Sequence, residues 1–330
     1  QGAALKKRLL VFDSPLRHQE MIIVTGGIAY DYIMDFPGSF GDYILPDQIH
    51  NINLSFTVNK FAKRRGGTAG NTSYTLNLLK TPHILFSAAG KDFGEYRKHF
   101  KKIGIDVSNI LIDKSQYSST GFAMTDKKDN QIWGYFPGAS QNLSKLNLKK
   151  VANKDDLVLI GPSGKIGTMS FIKQCVELGV KYMFDLGFTI TSINTTDLKY
   201  GISHAAYIVG NDYEIAILKK NLKDWKKILK DKTLITTLGE KGAQIQVENK
   251  TIFIKPAIPK VVVDPTGAGD SYRAGFLAGL EKGFDLQTSG QMGAVAATFS
   301  IEHYGPQEHR FTKAQFTKRY ANTYNDKIEI

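Results

Sequence analysis

Short apolar runs alternate with amphipathic stretches along most of this chain. Most of these runs end beside a glycine or a small polar residue, which is typical of strands buried on both faces of a sheet. This order of strands and helices predicts an α/β fold with a mostly parallel central sheet and helices on both of its faces. The predicted strands of that sheet span residues 21–25, 83–88, 157–160, 182–185, 206–209 and 234–237.

Helical periodicity fills many of the intervals between these strands. A hairpin is predicted over residues 244–255, because two alternating apolar stretches flank a polar tripeptide at 248–250. Helical patterns then dominate the rest of the chain. The predicted helices span residues 70–79, 92–102, 268–282, 286–302 and 312–324.

Two regions break this order and predict a second, smaller sheet. Residues 30–64 contain alternating and aromatic stretches at 30–36 and 53–58. Residues 117–136 contain similar stretches at 121–125 and 131–136. Alternation with a period of two is the pattern of half-buried strands. We expect these strands to form a lid that is inserted into the α/β body and covers a cleft.

The chain length suits one large domain, which we assign to residues 21–330 and which includes the lid. Residues 1–20 precede the first predicted strand and contain basic residues and a short apolar run at 9–12. They lack the longer apolar core and the cleavage site of a signal peptide. An artificial extension and a native arm are both compatible with this segment.

Charge and composition exclude several kinds of partner. The net charge of +12 permits binding to anions, but the lysine pairs at 149–150, 219–220 and 226–227 lie far apart, so we expect no nucleic-acid groove. No apolar run approaches the roughly 20 residues that span a bilayer, so we expect no membrane partner. The single cysteine, Cys175, cannot form an intrachain disulfide, which favours a cytoplasmic location.

The sequence DPTGAGD at residues 264–270 places a carboxylate at the start of a predicted helix. One interpretation is that Asp270 caps this helix and that the glycines only form a turn. The other is that Asp270 is a general base beside an anion site, because the amides of Gly267, Ala268 and Gly269 could hold a transferred phosphate. The motif alone favours the cap.

Three further motifs change that balance. They are RGGTAGN at 65–71, NDYE at 211–214 and TLGEKG at 237–242. Together with DPTGAGD, and in this order, they resemble the ribokinase-like (phosphofructokinase B) family of small-molecule kinases over roughly residues 21–325. Stretches such as TGGIAYD at 25–31 are similar to the bacterial adenosine kinases within that family. The resemblance implies that ATP phosphorylates the 5′-hydroxyl of adenosine, a step of purine salvage.

The resemblance also implies roles for individual residues. Asp270 would deprotonate the acceptor hydroxyl, and Asp31 would accept hydrogen bonds from two ribose hydroxyls. Asn211 and Glu214 would organise Mg²⁺ through its waters, while K⁺, common in the family, could bind around Asp264 and Thr266. Caps and turns are the structural alternatives for most of these residues. The other implied contacts are Ser55, Gly66, Gly67, Asn71 and Tyr135 for the acceptor, and Asn211, Thr237, Gly239 and Gly242 for ATP.

Base recognition is expected from the lid, where alternation puts Trp133 and Tyr135 on the same side, and Tyr135 is our candidate for stacking on a purine. Gly27 and Gly121 depart from the adenosine kinase pattern, which has a serine and an aromatic residue there, and both changes would loosen purine contacts. A ribose or fructose kinase and a catalytically silent nucleotide-binding protein remain alternatives. Pairing of lid strands between two copies would give a homodimer.

Overall fold

The structure is a computed structural model that describes residues 21–51, 53–128 and 130–330. The strands are β1 (Ile22–Thr25), β2 (Ala29–Asp35), β3 (Lys60–Gly66), β4 (His83–Leu85), β5 (Ser87–Gly90), β6 (Ile110–Asp113), β7 (Ser119–Thr125), β8 (Gln131–Phe136), β9 (Leu157–Ile160), β10 (Lys181–Asp185), β11 (Tyr207–Asn211), β12 (Thr233–Thr237), β13 (Ala243–Val247) and β14 (Lys250–Ile254). The helices are α1 (Thr68–Leu78), α2 (Gly94–Lys102), α3 (Gly164–Leu178), α4 (Thr195–His204), α5 (Asp212–Asn221), α6 (Trp225–Ile228), α7 (Ala268–Glu281), α8 (Leu286–Ile301) and α9 (Lys313–Tyr324).

The main sheet has eight strands in the order β14-β13-β12-β11-β10-β9-β1-β4. All pairs from β12 to β4 are parallel, and β13 and β14 add the predicted antiparallel hairpin at one edge. The prediction of a mostly parallel central sheet is therefore confirmed.

Helices cover both faces of this sheet, as predicted, and each face has its own apolar core. Ile23 of β1 belongs to the cluster that contains Phe171 of α3 and Ile215 of α5. The next residue, Val24, belongs to the opposite cluster, with Leu76 of α1 and Phe276 of α7. Successive side chains of a strand point to opposite faces, so an apolar run such as β1 fills both cores at once. Within the described residues, none of the helices combines the length and the apolar composition that a bilayer span requires.

The predicted lid is a four-stranded sheet in the order β3-β2-β7-β8. One of its strands differs from the prediction: residues 53–58 are irregular, and β3 lies just after them. Phe56 packs in an aromatic cluster with Phe36 and Phe40 instead of pairing in a sheet. The sequence of β3, KFAKRRG, is not recognisable as a strand because it is rich in basic residues. These residues protect an edge strand from further pairing.

The predicted strand over residues 83–88 is divided in two. β4 pairs with β1 in the main sheet, whereas β5 pairs with β6 in a separate two-stranded sheet. Phe86 lies at the division, and its amide donates to the carbonyl of Val24. A continuous apolar run cannot by itself reveal that its two halves belong to different sheets.

Candidate active site

The predicted catalytic and nucleotide residues lie at the carboxyl edge of the main sheet. Asn211 ends β11 and Thr237 ends β12, and the two residues are register partners. Helix α7 starts nearby, with Gly267 as its N-cap residue. In open parallel sheets this edge is where loops and helix starts meet to bind ligands.

Asp270 is buried in the first turn of α7, with 7% of its surface exposed. Its carboxylate accepts hydrogen bonds from Asn71 Nδ2 at 2.8 Å and from Arg273 Nη1 at 3.4 Å. In the part of the chain that the structure describes, no side chain makes a cap hydrogen bond at the start of α7. The carboxylate of Asp270 is thus held by two side chains rather than used as a cap.

Arg273 links Asp270 to a second buried carboxylate, Asp185 at the end of β10, through an ion pair. Burial raises the pKa of Asp270, while Arg273 and Asn71 oppose that change and the charge of Glu214 adds to it. The carboxylates of Asp185, Asp270 and Glu214 therefore interact around the guanidinium of Arg273. The resulting excess of negative charge suits a cation in this part of the cleft.

The turn before α7 presents backbone amides to the cleft. Gly267 has a φ of 77°, and a Cβ there would lie 2.4 Å from Cβ of Pro306, so only glycine fits. The amide of Ala268 donates to the carbonyl of Pro265 at 3.1 Å. Among the described residues, the amides of Gly267 and Gly269 have no acceptor. These two amides can therefore bind an anion at the helix start.

Asp31 projects from β2 of the lid and packs against two glycines. A Cβ on Gly66 would lie 1.9 Å from Asp31 Oδ2, and a Cβ on Gly121 would lie 2.7 Å from Oδ1. Burial, followed by the charges of Asp270 and Asp264, raises the pKa of Asp31 to about 7. The missing side chains on both neighbouring strands create the space that the carboxylate occupies.

Gly67 and Asn71 join the lid to the body. Gly67 is the N-cap residue of α1 with a φ of 86°, and a Cβ there would lie 2.5 Å from the carbonyl oxygen of Gly27. The chain can therefore turn directly from β3 into α1 only with glycine at this position. The turn brings Asn71, which is 4% exposed, to Asp270.

A cavity of about 520 Å³ lies beside α7 and reaches Ala268 and Gly269. Thr237, Gly239 and Gly242 line it, so the structure brings these three predicted nucleotide residues together. Gly242 has a φ of 88°, and a Cβ there would lie 2.1 Å from the carbonyl oxygen of Ile254. Most of the remaining wall is apolar and includes Ala257, Ile258, Val262, Ala294, Ala297 and Ile301.

Asn211 and Glu214 form a capping box at the start of α5. Asn211 Oδ1 accepts from the amide of Glu214 at 2.8 Å, and Glu214 Oε2 accepts from the amide of Asn211 at 2.9 Å. Both residues therefore cap the start of α5, which is the structural alternative to their predicted role at Mg²⁺. The second carboxylate oxygen of Glu214 takes no part in the capping box. The negative charge of Glu214 contributes to raising the pKa of both Asp185 and Asp270.

Tyr135 lies in one row across the lid with Asp31 and Gly121, since Asp31 pairs with Gly121 and Gly121 pairs with Tyr135. Its ring lies 5.3 Å from that of Phe188 on the body. It therefore bridges the cleft.

The two departures from the adenosine kinase pattern have different surroundings. A Cβ on Gly121 would lie 3.0 Å from the ring of Trp133, so an aromatic residue at 121 would collide with both Trp133 and Asp31. At Gly27, a Cβ would lie 3.4 Å from Ser140 Oγ, which is ordinary contact. Ser55 is exposed, in the irregular segment before β3.

The motifs did not assign a role to three further residues of the site. Arg273 follows Asp270 by three positions, so helical spacing alone could have paired them. Asp185 ends a predicted strand at the ligand edge, which is a weaker signal. Gln307, whose Nε2 donates to Asn71 Oδ1 at 2.8 Å, comes from a loop that no motif covers.

Comparisons with known proteins show the family of this chain. The model of the pfkB family of carbohydrate kinases matches residues 37–313. A nucleoside kinase of Methanothermobacter thermautotrophicus is 28% identical over 309 residues, which is 91% of this chain and 95% of the relative. An adenosine kinase of Saccharomyces cerevisiae is 42% identical over 88 residues, only 24% of this chain and 26% of the relative.

Solved structures are also similar. The nucleoside kinase of Burkholderia thailandensis in complex with inosine has a TM-score of 0.84 and 31% identity, covering 93% of this chain and 99% of that one. The same kinase in complex with ADP-inosine has a TM-score of 0.82 and 33% identity, covering 93% and 97%. Because the family model matches most of the chain, and the ribokinase-like fold and the ordered motifs agree with it, this protein is a kinase that belongs to the pfkB family.

Proposed function

We propose that this kinase transfers the γ-phosphoryl group of ATP to the 5′-hydroxyl of a purine nucleoside, with adenosine as its acceptor. One observation carries the proposal. A buried carboxylate, Asp270, is held by Asn71 and Arg273 beside the amides of Gly267 and Gly269, for which the described residues supply no acceptor. A base next to an anion site is what phosphoryl transfer to an alcohol requires.

In the proposed reaction Asp270 accepts the proton of the attacking hydroxyl. Burial raises its pKa, which makes the ionised carboxylate a stronger base than an exposed aspartate. The amides of Gly267 and Gly269 donate hydrogen bonds to the transferred group and stabilise its negative charge. The adjoining apolar cavity receives the adenine of ATP, with Thr237, Gly239 and Gly242 at its edge.

Glu214 and Asn211 would hold Mg²⁺ through its waters. The fit rests on the excess of carboxylates around Arg273 and on the oxygen of Glu214 that the capping box leaves over. Such an ion would neutralise part of the negative charge of the phosphates of ATP. For K⁺, both oxygens of Asp264 already accept backbone amides, from Thr266 and Gly305, so loop carbonyls would supply the ligands.

The row across the lid supports a nucleoside as the acceptor. Asp31 and Tyr135 are two strands apart, which is about 9–10 Å at the backbone, and Gly121 between them adds no side chain of its own to the row. A ribose that binds Asp31 through its two hydroxyls would extend its base toward Tyr135 and Trp133. The relatives named as nucleoside kinases, one of them solved with inosine, support the same class of acceptor.

Measuring ADP release with a panel of acceptors tests the proposal. With ATP and Mg²⁺, we expect kcat/KM for adenosine to exceed that for ribose and fructose by at least about 100-fold, because the free sugars lack the stacking base. Inosine in the same panel separates adenosine from purine nucleosides in general. Turnover with ribose but not with either nucleoside would contradict the acceptor class, and no turnover with any acceptor would favour a silent nucleotide-binding protein.

We also propose that two copies pair through the outer face of the lid. The outer-lid surface consists of Tyr32, Phe61, Phe122, Ile132 and Phe136, and its rings at 32, 61 and 122 stack at 5.3–5.8 Å. Phe61 is 64% exposed and Phe122 is 46% exposed, and contiguous apolar surface of this kind marks protein interfaces.

Light scattering after size exclusion tests this pairing. We expect the wild type to be a dimer and Phe122→Glu to be a monomer, because a carboxylate in the middle of the outer-lid surface would be desolvated on pairing. Phe253→Glu is the matched control, since Phe253 is also an exposed strand residue, at 74% against 46% for Phe122, but lies on β14 of the main sheet. A monomeric wild type, or equal behaviour of the two variants, would rule the interface out.

A further inference from the structure

A chain of hydrogen bonds runs behind the cleft from the backbone under Asp31 to the carboxylate of Asp270. Tyr96 Oη donates to the carbonyl oxygen of Gly66 at 2.9 Å, and Gln307 Nε2 bonds to Tyr96 Oη. Gln307 Nε2 also donates to Asn71 Oδ1 at 2.8 Å, and Asn71 Nδ2 donates to Asp270 Oδ2 at 2.8 Å. Tyr96 and Gln307 are 0% and 2% exposed, so water does not compete for these bonds.

The chemistry of the groups fixes the direction of every bond. An ionised Asp270 only accepts, so Asn71 must turn its NH₂ group toward it. Oδ1 of Asn71 then faces Gln307, so Gln307 must donate a hydrogen bond to it from its own NH₂ group. The second hydrogen of that group goes to Tyr96 Oη, whose own hydrogen goes to the Gly66 carbonyl. Rotating either amide by 180° would bring two acceptors together.

Gln307 itself is fixed by the loop that carries it. Two residues earlier, the amide of Gly305 donates to Asp264, and Pro306 packs against Gly267 of the amide turn. Two residues later, His309 bonds to Thr75 of α1. The loop is thus attached on both sides of Gln307, to the turn before α7 and to the helix that carries Asn71.

We propose that Gln307 is a positioning residue, which sets the amide orientation of Asn71 and through it the position of the Asp270 carboxylate. It also ties that orientation to Gly66, the residue that packs against the acceptor-binding Asp31. The inference rests on the proposed role of Asp270 as the base. Gln307 touches neither substrate nor ATP in this scheme, so its effect is expected on kcat rather than on the KM of either.

Two substitutions test this role. Gln307→Met keeps the volume but removes the donor, and we expect kcat to fall about tenfold or more, with the KM for ATP unchanged. Gln307→Glu keeps the shape, and its carboxyl group can donate to Asn71 Oδ1 only while it is protonated. The ratio of the variant's kcat to that of the wild type should therefore fall as pH rises, whereas a purely structural role would leave the ratio constant.

Controls separate this inference from the proposed function. Tyr182→Phe removes a buried hydroxyl in the apolar core on the other face of the main sheet, where it donates to the carbonyl of Gly201, and should leave the kcat and its pH profile as in wild type. Asp270→Asn should abolish most activity, and adding Gln307→Met to it should cause no further loss.

Several outcomes would overturn the inference. Wild-type kcat in Gln307→Met, or a pH-independent ratio for Gln307→Glu, with Asp270→Asn inactive, would refute Gln307 alone. Wild-type kcat in Asp270→Asn would refute the proposed base and this role with it. If Gln307→Glu failed to fold even at acid pH, where its carboxyl group can donate, Gln307 would serve the fold rather than the base.

Discussion

Asp270→Asn will lower kcat by about 10³-fold, ~4 kcal/mol of activation free energy, because the amide cannot accept the proton of the attacking hydroxyl. The substitution keeps the size of the side chain, and its Oδ1 can still accept the hydrogen bond from Asn71 that the carboxylate accepts at 2.8 Å. The KM for the nucleoside should therefore change little. Steady-state ADP release, together with a thermal melt of each protein, measures both effects.

Asp285→Asn is the matched control for this experiment. Asp285 is the N-cap residue of α8, where its carboxylate accepts from the amide of Thr288 at 2.7 Å, and asparagine caps a helix about as well. If Asp270 were only a cap, the two variants would behave alike and both would keep full activity. An unchanged kcat in Asp270→Asn would thus show that Asp270 is not the base.

The pH dependence of the wild type bears on the same carboxylate. The base must be ionised to accept a proton, so activity is lost as pH falls through its pKa. Burial moves the pKa of Asp270 upward, and this shift moves the acid limb of kcat toward neutral pH. The acid limb should be absent from the residual activity of Asp270→Asn.

Parts of the fold that rest on local apolar patterns could be predicted from the sequence. The runs at β9 and β11 are buried on both faces and bounded by small residues, so a short window identifies them. Strand β3 could not be found in this way, because its Lys and Arg residues serve an exposed lid edge rather than a core. The end of β4 could not be predicted either, because its apolar run continues into a strand of a different sheet.

The residues of the site divide in the same way, into those that a short local motif contains and those that only the packing of the fold brings together. Gly267 and Asp270 lie within one turn of helix, so a motif of seven residues contains both. One partner of Asp270, Asn71, is 199 residues away along the chain, and Asn71 in turn bonds to Gln307, which is 236 residues from Asn71. Nothing in the sequence indicates that these amides meet, because their meeting depends on the packing of α1, α7 and the loop after α8. Motifs therefore predicted the chemistry of the site, and only the structure reveals what holds it in place.

Gly66→Ala will raise the KM for the nucleoside by about 100-fold, ~2.7 kcal/mol, while leaving the fold intact. The new Cβ would lie 1.9 Å from Asp31 Oδ2 and 2.7 Å from Cγ, so the carboxylate must move. The backbone has no such conflict, because φ at Gly66 is in the ordinary region and the colliding atoms are the end of a side chain. The cost should thus appear in acceptor binding rather than in stability.

Gly134→Ala is the matched control, since Gly134 also lies in a lid strand and a Cβ there would meet nothing within 4 Å. It should bind the nucleoside as the wild type does. A double-mutant cycle then connects the effect to the carboxylate. If Gly66→Ala acts by displacing Asp31, it should add little to the KM of Asp31→Ala. If the two losses instead add in full, Gly66 would act through its own backbone contact with the sugar, and Asp31 would not be the group that it displaces.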